Sequence, residues 1–250
     1  MAEEQLSQRQ SRILAAIVKE YSDMGIPVAS KELVEKYGFD VSGATVRNEM
    51  QILEKQGYIT HPHTSAGRIP TDKGFRYFVN VLMEKVKLSI KEQERLRMEV
   101  FKLQAVNKEV GRRLAKLLSE TTSQASFAIF PEATSTVGIS NMLDNPQLPP
   151  EDAMEIAQFF DHIDEYADNL VNEYGEKAPE AYIGKEIKLS SKSEHSMVVG
   201  GVQLPDGKRG VIGLLGPKNM KYEKNLSILE YISKLLGGGG AAIILFHLIK

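Results

Sequence analysis

Apolar residues in the first eighty positions recur at three- and four-residue steps, in blocks cut by glycine and proline. Leu6, Ile13, Leu14, Ile17, Val18 and Tyr21 keep that spacing until Gly25 and Pro27 stop it, which predicts a helix over 7–24. Ser30 is placed to N-cap a short helix from Lys31 to Tyr37, closed by Gly38. Ser42 caps a third helix that runs to about Gln56, with Gly57 just beyond it. Two β-compatible ends follow, at 58–61 and 68–69, around a Pro/Ser/Gly tip, and read as a hairpin. Three helices with a tight second-to-third connection, followed by a hairpin, predict a winged helix-turn-helix. A fourth helix over 71–83, with Phe75, Tyr77, Phe78, Val81 and Leu82 on its apolar side, completes a first domain of residues 1–83.

Beyond it the pattern changes. From Glu84 to Leu118, Val86, Ile90, Leu96, Val100, Leu103, Val106, Val110, Leu114, Leu117 and Leu118 recur at helical steps. Their spacing predicts a long linking helix, residues 84–121, that either seeks a partner or packs as a core helix with a solvated lysine face. "SFAIFP" (126–131) reads as a strand, and the acidic run after Pro149 as an amphipathic helix with Met154, Ile156, Ala157, Phe160, Ile163 and Leu170 inward. Strand signals at 181–183, 196–204 and 210–215, a "PDG" turn at 205–207 and a closing helix over 219–236 make residues 122–250 an α+β domain with an antiparallel sheet.

Charge sharpens this division. The 250 residues carry a net charge of −2, but it is unevenly spread. Residues 1–80 balance 10 basic against 10 acidic side chains; 85–118 hold 10 basic and 4 acidic; 119–194 hold 4 basic and 15 acidic. Such segregation suggests modules with different partners. The absence of cysteine excludes disulfides and thiolate metal sites. The opening residues lack the apolar core of a signal peptide, and no run reaches the roughly 18 apolar residues of a membrane helix. The expectation is a cytoplasmic protein.

Enzyme chemistry finds little footing. His61, His63, His162, His195 and His247 include no pair with metal-ligand spacing on a helix face. The glycine-rich stretch 200–219 fits neither a phosphate-binding loop nor a dinucleotide fingerprint. No catalytic residues, no metal and no cofactor are expected.

DNA reading has better support. In the third predicted helix Val46, Met50 and Leu53 face inward, while Arg47, Asn48, Gln51 and Lys55 share the outward stripe. Arginine can bond bidentately to guanine, and asparagine or glutamine to adenine. Ser42 and Thr45 stand at the helix amino end, which suits a phosphate. Arg68, His61, His63, Thr64 and Ser65 put donors in the wing, where backbone or minor-groove contact is expected. Lys55, further along, suits a phosphate or plain solvation.

Certain stretches resemble a known family. "PVASKELVEKYGFDVSGATVRNEMQILEKQGYITHPHTSAGRIPTDKGFRYFV" (27–79) is similar to the amino-terminal domain of the bacterial heat-inducible transcription repressor HrcA. "ISNMLDNPQL" (139–148), "YIGKE" (182–186) and "GVIGLLGPKNMKYEKNLSILEYISKLL" (210–236) resemble later segments of that family. The resemblance implies a homodimeric repressor on an inverted-repeat operator in double-stranded DNA upstream of chaperone operons, with chaperonin as modulator. It implies a GAF-like carboxy-terminal domain with an inserted dimerisation domain. Carried over residue by residue, it places Thr45, Arg47, Asn48 and Gln51 in the recognition helix and His63, Thr64, Ser65, Gly67 and Arg68 in the wing. Ser30, Lys31 and Ser42, at the amino ends of the second and third helices, complete the candidate DNA-binding set. Typical members are longer, and the shortfall lies between the basic helix and "SFAIFP". The inserted domain has no counterpart here, so the 84–118 helix becomes the candidate dimerisation surface. The rival reading is a protein-interaction or small-molecule sensor module whose winged helix reads no specific DNA.

Overall fold

A computed structural model of the chain describes residues 6–62, 67–104, 110–131, 133–143, 150–187, 195–204 and 207–239. It divides into two compact units: the first ends at Glu84 and takes in Lys218–Lys221, and the second begins at Lys85.

The first unit opens with α1 (Gln8–Met24), α2 (Ser30–Tyr37) and α3 (Gly43–Lys55). Ser7 caps α1 in a reciprocal box: its hydroxyl accepts from the Gln10 N–H, and the Gln10 side chain accepts from the Ser7 N–H. Gly25, left-handed at φ 65°, ends the helix as its position promised. The start of α2 differs from expectation. Its N-cap is Ala29, whose N–H is taken by the Glu32 carboxylate at 3.1 Å, and Ser30 is the first helical residue, with 9% of its surface exposed. The Glu32 carboxylate thus closes the N-cap N–H, and no side-chain hydroxyl serves the first helical N–H groups. Ser42 caps α3 as read, accepting from the Thr45 N–H.

Two short strands follow, β1 (Ile59–Thr60) and β2 (Ile69–Pro70), antiparallel with Ile59 opposite Pro70. Val28, ahead of α2, adds a bridge by exchanging both backbone hydrogen bonds with Arg68 at 2.9 Å. The expected helix over 71–83 is shorter: α4 spans Asp72–Tyr77 and passes into a π-helical turn, Phe78–Leu82. Phe75, Tyr77 and Phe78 are buried, whereas Val81 points to solvent. Gly74 has a close neighbour: a β-carbon there would lie 2.1 Å from the Tyr58 carbonyl oxygen.

The second unit contains α5 (Ile90–Gln104), α6 (Val110–Thr122), β3 (Ala125–Phe130), β4 (Ala133–Val137), α7 (Ile139–Leu143), α8 (Pro150–Asp161), α9 (Ile163–Tyr174), β5 (Glu180–Ile183), β6 (His195–Gln203), β7 (Arg209–Pro217) and α10 (Tyr222–Lys234). The sheet is antiparallel throughout, in the order β4-β3-β7-β6-β5. Odd-numbered residues such as Phe127, Met197, Val199, Val211 and Leu215 join α8 and α9 in one core. The even-numbered face meets α6 and α10: the Ser126 hydroxyl bonds the Ala115 carbonyl at 2.6 Å, and the Ser196 and Tyr222 hydroxyls meet at 2.7 Å. Helices on both faces explain why these strands are apolar runs rather than alternating ones.

Three expectations change here. Residues 84–121 were expected to form one linking helix, either partner-seeking or packed in a core. The core reading holds for α6, which buries Leu114, Ala115, Leu117 and Leu118 within the second unit, against β3 and β4. Residues 85–89 are not helical, and Val86 and Ile90 of the expected stripe are exposed. The acidic helix is two helices meeting at His162, and Met154, expected inward, is 62% exposed. The tail from 240 lies outside the described residues.

The start of α5 carries a pH-dependent cap. Glu92 accepts from the Ser89 N–H and hydroxyl at 3.0 and 2.7 Å and pairs with Lys224 at 3.2 Å. The Ser89 hydroxyl, then its N–H, then Lys224 hold the Glu92 carboxyl down to about 2. A depressed carboxyl stabilises the fold above its unfolded value of 4.5, and that stabilisation fades as pH falls towards 2. Glu92→Gln should cost roughly 0.5–1 kcal/mol at pH 7, kept small by exposure. Urea titrations at pH 7 and pH 3 should show the gap to the parent protein shrinking with acid.

Candidate nucleic-acid interface

Val46, Met50 and Leu53 are buried and fix the roll of α3 against the rest of the first unit. Glu49 ties the same helix to α1 through Arg9 at 3.4 Å and Gln10 at 3.2 Å. The opposite side of α3 exposes Ala44, Arg47, Asn48, Gln51, Ile52 and Lys55. No acidic side chain stands in that row. From Arg47 to Lys55 the row runs for about 12 Å along the helix axis, matching the width of a B-DNA major groove.

Ser42 and Thr45 are engaged with each other at the amino end. The Ser42 hydroxyl accepts from the Thr45 N–H at 3.2 Å and lies 3.1 Å from the Thr45 hydroxyl. The cap leaves the earliest N–H groups of α3 pointing out of the helix. Lys31 is exposed at the start of α2, 3.7 Å from Glu35.

The wing is anchored by a charged cluster. Arg68 reaches one Glu54 oxygen with Nε at 3.1 Å and Nη2 at 2.9 Å, and His61 Nδ1 meets the other at 2.5 Å. Burial acts to raise the Glu54 carboxyl, but the His61 and Arg68 hydrogen bonds and charges outweigh it and hold it below the usual carboxylate range. Arg68 thus joins the wing to α3, a role its position alone did not suggest. Gly67 is buried, and a β-carbon there would lie 2.7 Å from Pro27 atoms, so it serves the close packing of the wing strand. His63, Thr64 and Ser65 lie outside the described residues.

The row brings together Arg47, Asn48, Gln51 and Lys55, with Thr45 and Ser42 at its amino end. Ala44 and Ile52, apolar and exposed on the same side, had not been singled out. Ile52 sits four residues after Asn48, so helical spacing contained that signal. The Glu54–His61–Arg68 cluster had no such signal, since it closes only when the hairpin folds back on α3.

Comparison with known proteins bears on both units. A family model of the HrcA protein C-terminal domain matches residues 77–226, more than half the chain. The chain belongs to the HrcA family. A LexA DNA-binding domain model matches residues 3–67, which include α1–α3 and β1. Among curated relatives, the heat-inducible transcription repressor HrcA of Cutibacterium acnes is 47% identical over 130 residues, covering 52% of this chain and 38% of that protein. HrcA of Chloroflexus aurantiacus is 44% identical over 128 residues, covering 51% of this chain and 34% of its own. The matches span little more than a third of the length of these HrcA relatives. A crystal structure of a hypothetical protein shares the fold, with a TM-score of 0.69 over 93% of this chain and 96% of that one, at 20% identity.

Proposed function

We propose that the chain is a DNA-binding transcriptional repressor of chaperone operons, working in the cytoplasm rather than as an enzyme. It binds an inverted-repeat operator as a homodimer, with chaperonin as a modulating partner. The observation that carries this reading is the outward row of α3, rich in hydrogen-bonding side chains, free of acidic ones and flanked by an anchored wing. In it Arg47, Asn48 and Gln51 read base edges, while Ser42, Thr45, Lys31 and Lys55 meet phosphates. His63, Thr64 and Ser65 extend the wing contact along the backbone. Two half-sites call for two recognition helices, which motivates the dimer. Membership of the HrcA family and the DNA-binding domain match support the same reading. Among the described residues no helix is long and apolar enough to cross a membrane.

An electrophoretic mobility shift with a duplex carrying an inverted repeat from a chaperone promoter tests the proposal. The expected result is binding at least about a hundredfold tighter than to a scrambled duplex at matched salt. Light scattering should find two chains per operator. Equal affinity for both duplexes would overturn the proposal.

Arg68 gives a separate expected outcome. Arg68→Ala removes a cation near the backbone and leaves the Glu54 carboxylate with His61 alone. Affinity for operator and scrambled duplex should fall alike, by about tenfold, with the salt slope reduced by about one. Glu54→Gln in the same chain should recover part of the loss, read from binding isotherms at several salt concentrations.

A further inference from the structure

We propose that α3 also reads thymine, with Ala44 and Ile52 packing against the C5-methyl groups of bases that flank the one met by Asn48. This rests on the reading of the α3 row as a base-reading surface and adds an apolar half to its code. Ala44, Asn48 and Ile52 stand at four-residue steps and so form one file along the helix. All three are exposed, and Ile52 keeps 40% of its surface open. Ala44 lies in the first turn of α3, the end that a recognition helix presents to base edges. Side-chain size follows that geometry: the short residue stands where the helix comes nearest the bases, the long one further along.

Packing and helix propensity give little reason for isoleucine at position 52. Val46, Met50 and Leu53 already form the buried row that fixes the roll of α3. Glu54, which holds the wing through His61 and Arg68, lies two residues on and so about 200° around the helix. A β-branched side chain is also a poorer helix former than the arginine, glutamine and lysine that share the row. What it offers is stiffness: held to one χ1 rotamer in a helix, Ile52 presents a fixed apolar surface to whatever lies against the row. In the major groove of an unmodified duplex thymine alone carries a methyl group, and apolar side chains recognise it by contact. Ile52 is about 6 Å beyond Asn48 along the axis, and Ala44 the same distance before it. At about 3.4 Å per base step, the methyl groups they meet lie within about two steps on either side of the base that Asn48 reads.

Mobility-shift titrations of the whole chain on the chaperone-promoter inverted repeat, with thymines replaced by deoxyuridine one position at a time in both half-sites, test the contacts. Each replacement removes a methyl group and keeps every hydrogen-bonding atom. One or two positions should lose about fourfold per half-site, about fifteenfold with both half-sites changed, and the rest should change little. Ile52→Ser should lose about as much on the thymine duplex and then be indifferent to uracil at one of those positions, so that the two losses do not add. Ala44→Gly should behave likewise at a position on the other side of the base whose identity Asn48→Ala no longer distinguishes. If Ala44→Gly fails to fold, by circular dichroism, the exposed Ile52→Ser carries the test. A parent chain that prefers the operator yet tolerates uracil everywhere would overturn the thymine contacts alone. Fully additive losses for Ile52→Ser and uracil at every sensitive position would overturn them too, by giving the methyl groups to other residues. No operator preference in the parent chain would overturn the DNA reading itself, and this inference with it.

Discussion

Arg47→Ala and Asn48→Ala should each weaken operator binding by one to two powers of ten while affinity for scrambled duplex changes far less. The size follows from bidentate base contacts, worth about 1–3 kcal/mol of discrimination each, against 1.4 kcal/mol per factor of ten. Both side chains are exposed on α3, outside its buried row of Val46, Met50 and Leu53. Their removal should leave the circular dichroism spectrum and the unfolding midpoint where they were. Gln51→Ala should follow the same pattern, because it lies one turn further along the row. Lys55→Ala should behave differently, with a small loss shared by all duplexes and erased at high salt. Mobility-shift titrations of the four variants on operator and scrambled DNA separate these outcomes. A uniform loss on both duplexes for Arg47→Ala would reassign the row from base reading to backbone contact.

Gly74→Ala is expected to damage the first unit through packing rather than charge. A β-carbon at Gly74 would stand 2.1 Å from the Tyr58 carbonyl oxygen and 3.1 Å from its carbon. That carbonyl also receives the Thr71 N–H at 3.0 Å and the Thr71 hydroxyl at 3.1 Å. Pushing α4 outward to admit the methyl group strains both hydrogen bonds at the junction of wing and helix. The expected cost is about 3 kcal/mol, the upper end for forcing an added carbon into a packed site. Gly43→Ala provides the contrast. Nothing lies within 4 Å of its added carbon, so the first turn of α3 should gain up to about 1 kcal/mol. Denaturant unfolding followed in both variants gives the two signs directly.

The first unit was legible because its signals are local. Ser7, Ser42, Gly25, Gly38 and Gly57 punctuate three helices within a few residues of each boundary, and α3's inward and outward rows follow from spacing alone. Ser30 was misplaced by one position because the helix starts without a capping hydroxyl, at Ala29, where only the Glu32 half of a capping box forms. The second unit was harder. Central strands covered on both faces lose their alternation, so β3, β6 and β7 could be found but not oriented. β4 went unnoticed, since "ATSTV" has β-branched residues but little hydrophobicity. The bend at His162 was hidden because apolar spacing continues nearly in phase from α8 into α9. Arg68's partner depends on residues brought together by folding, which no window along the chain contains.

The sheet order sets a timetable for synthesis. β3 emerges early from the ribosome, yet one of its two neighbours, β7, is the last strand of the sheet to be made, and Ala125 must wait for Leu215. Until β7 inserts between β3 and β6, the apolar centre of the sheet has an open edge, a template for pairing with another chain. The first unit, whose contacts are mostly near in sequence apart from the four residues 218–221, can meanwhile fold on its own schedule. Nascent chains stalled before residue 209 should therefore carry an ordered winged helix attached to a sticky, unfinished sheet, a species that itself calls for a chaperone.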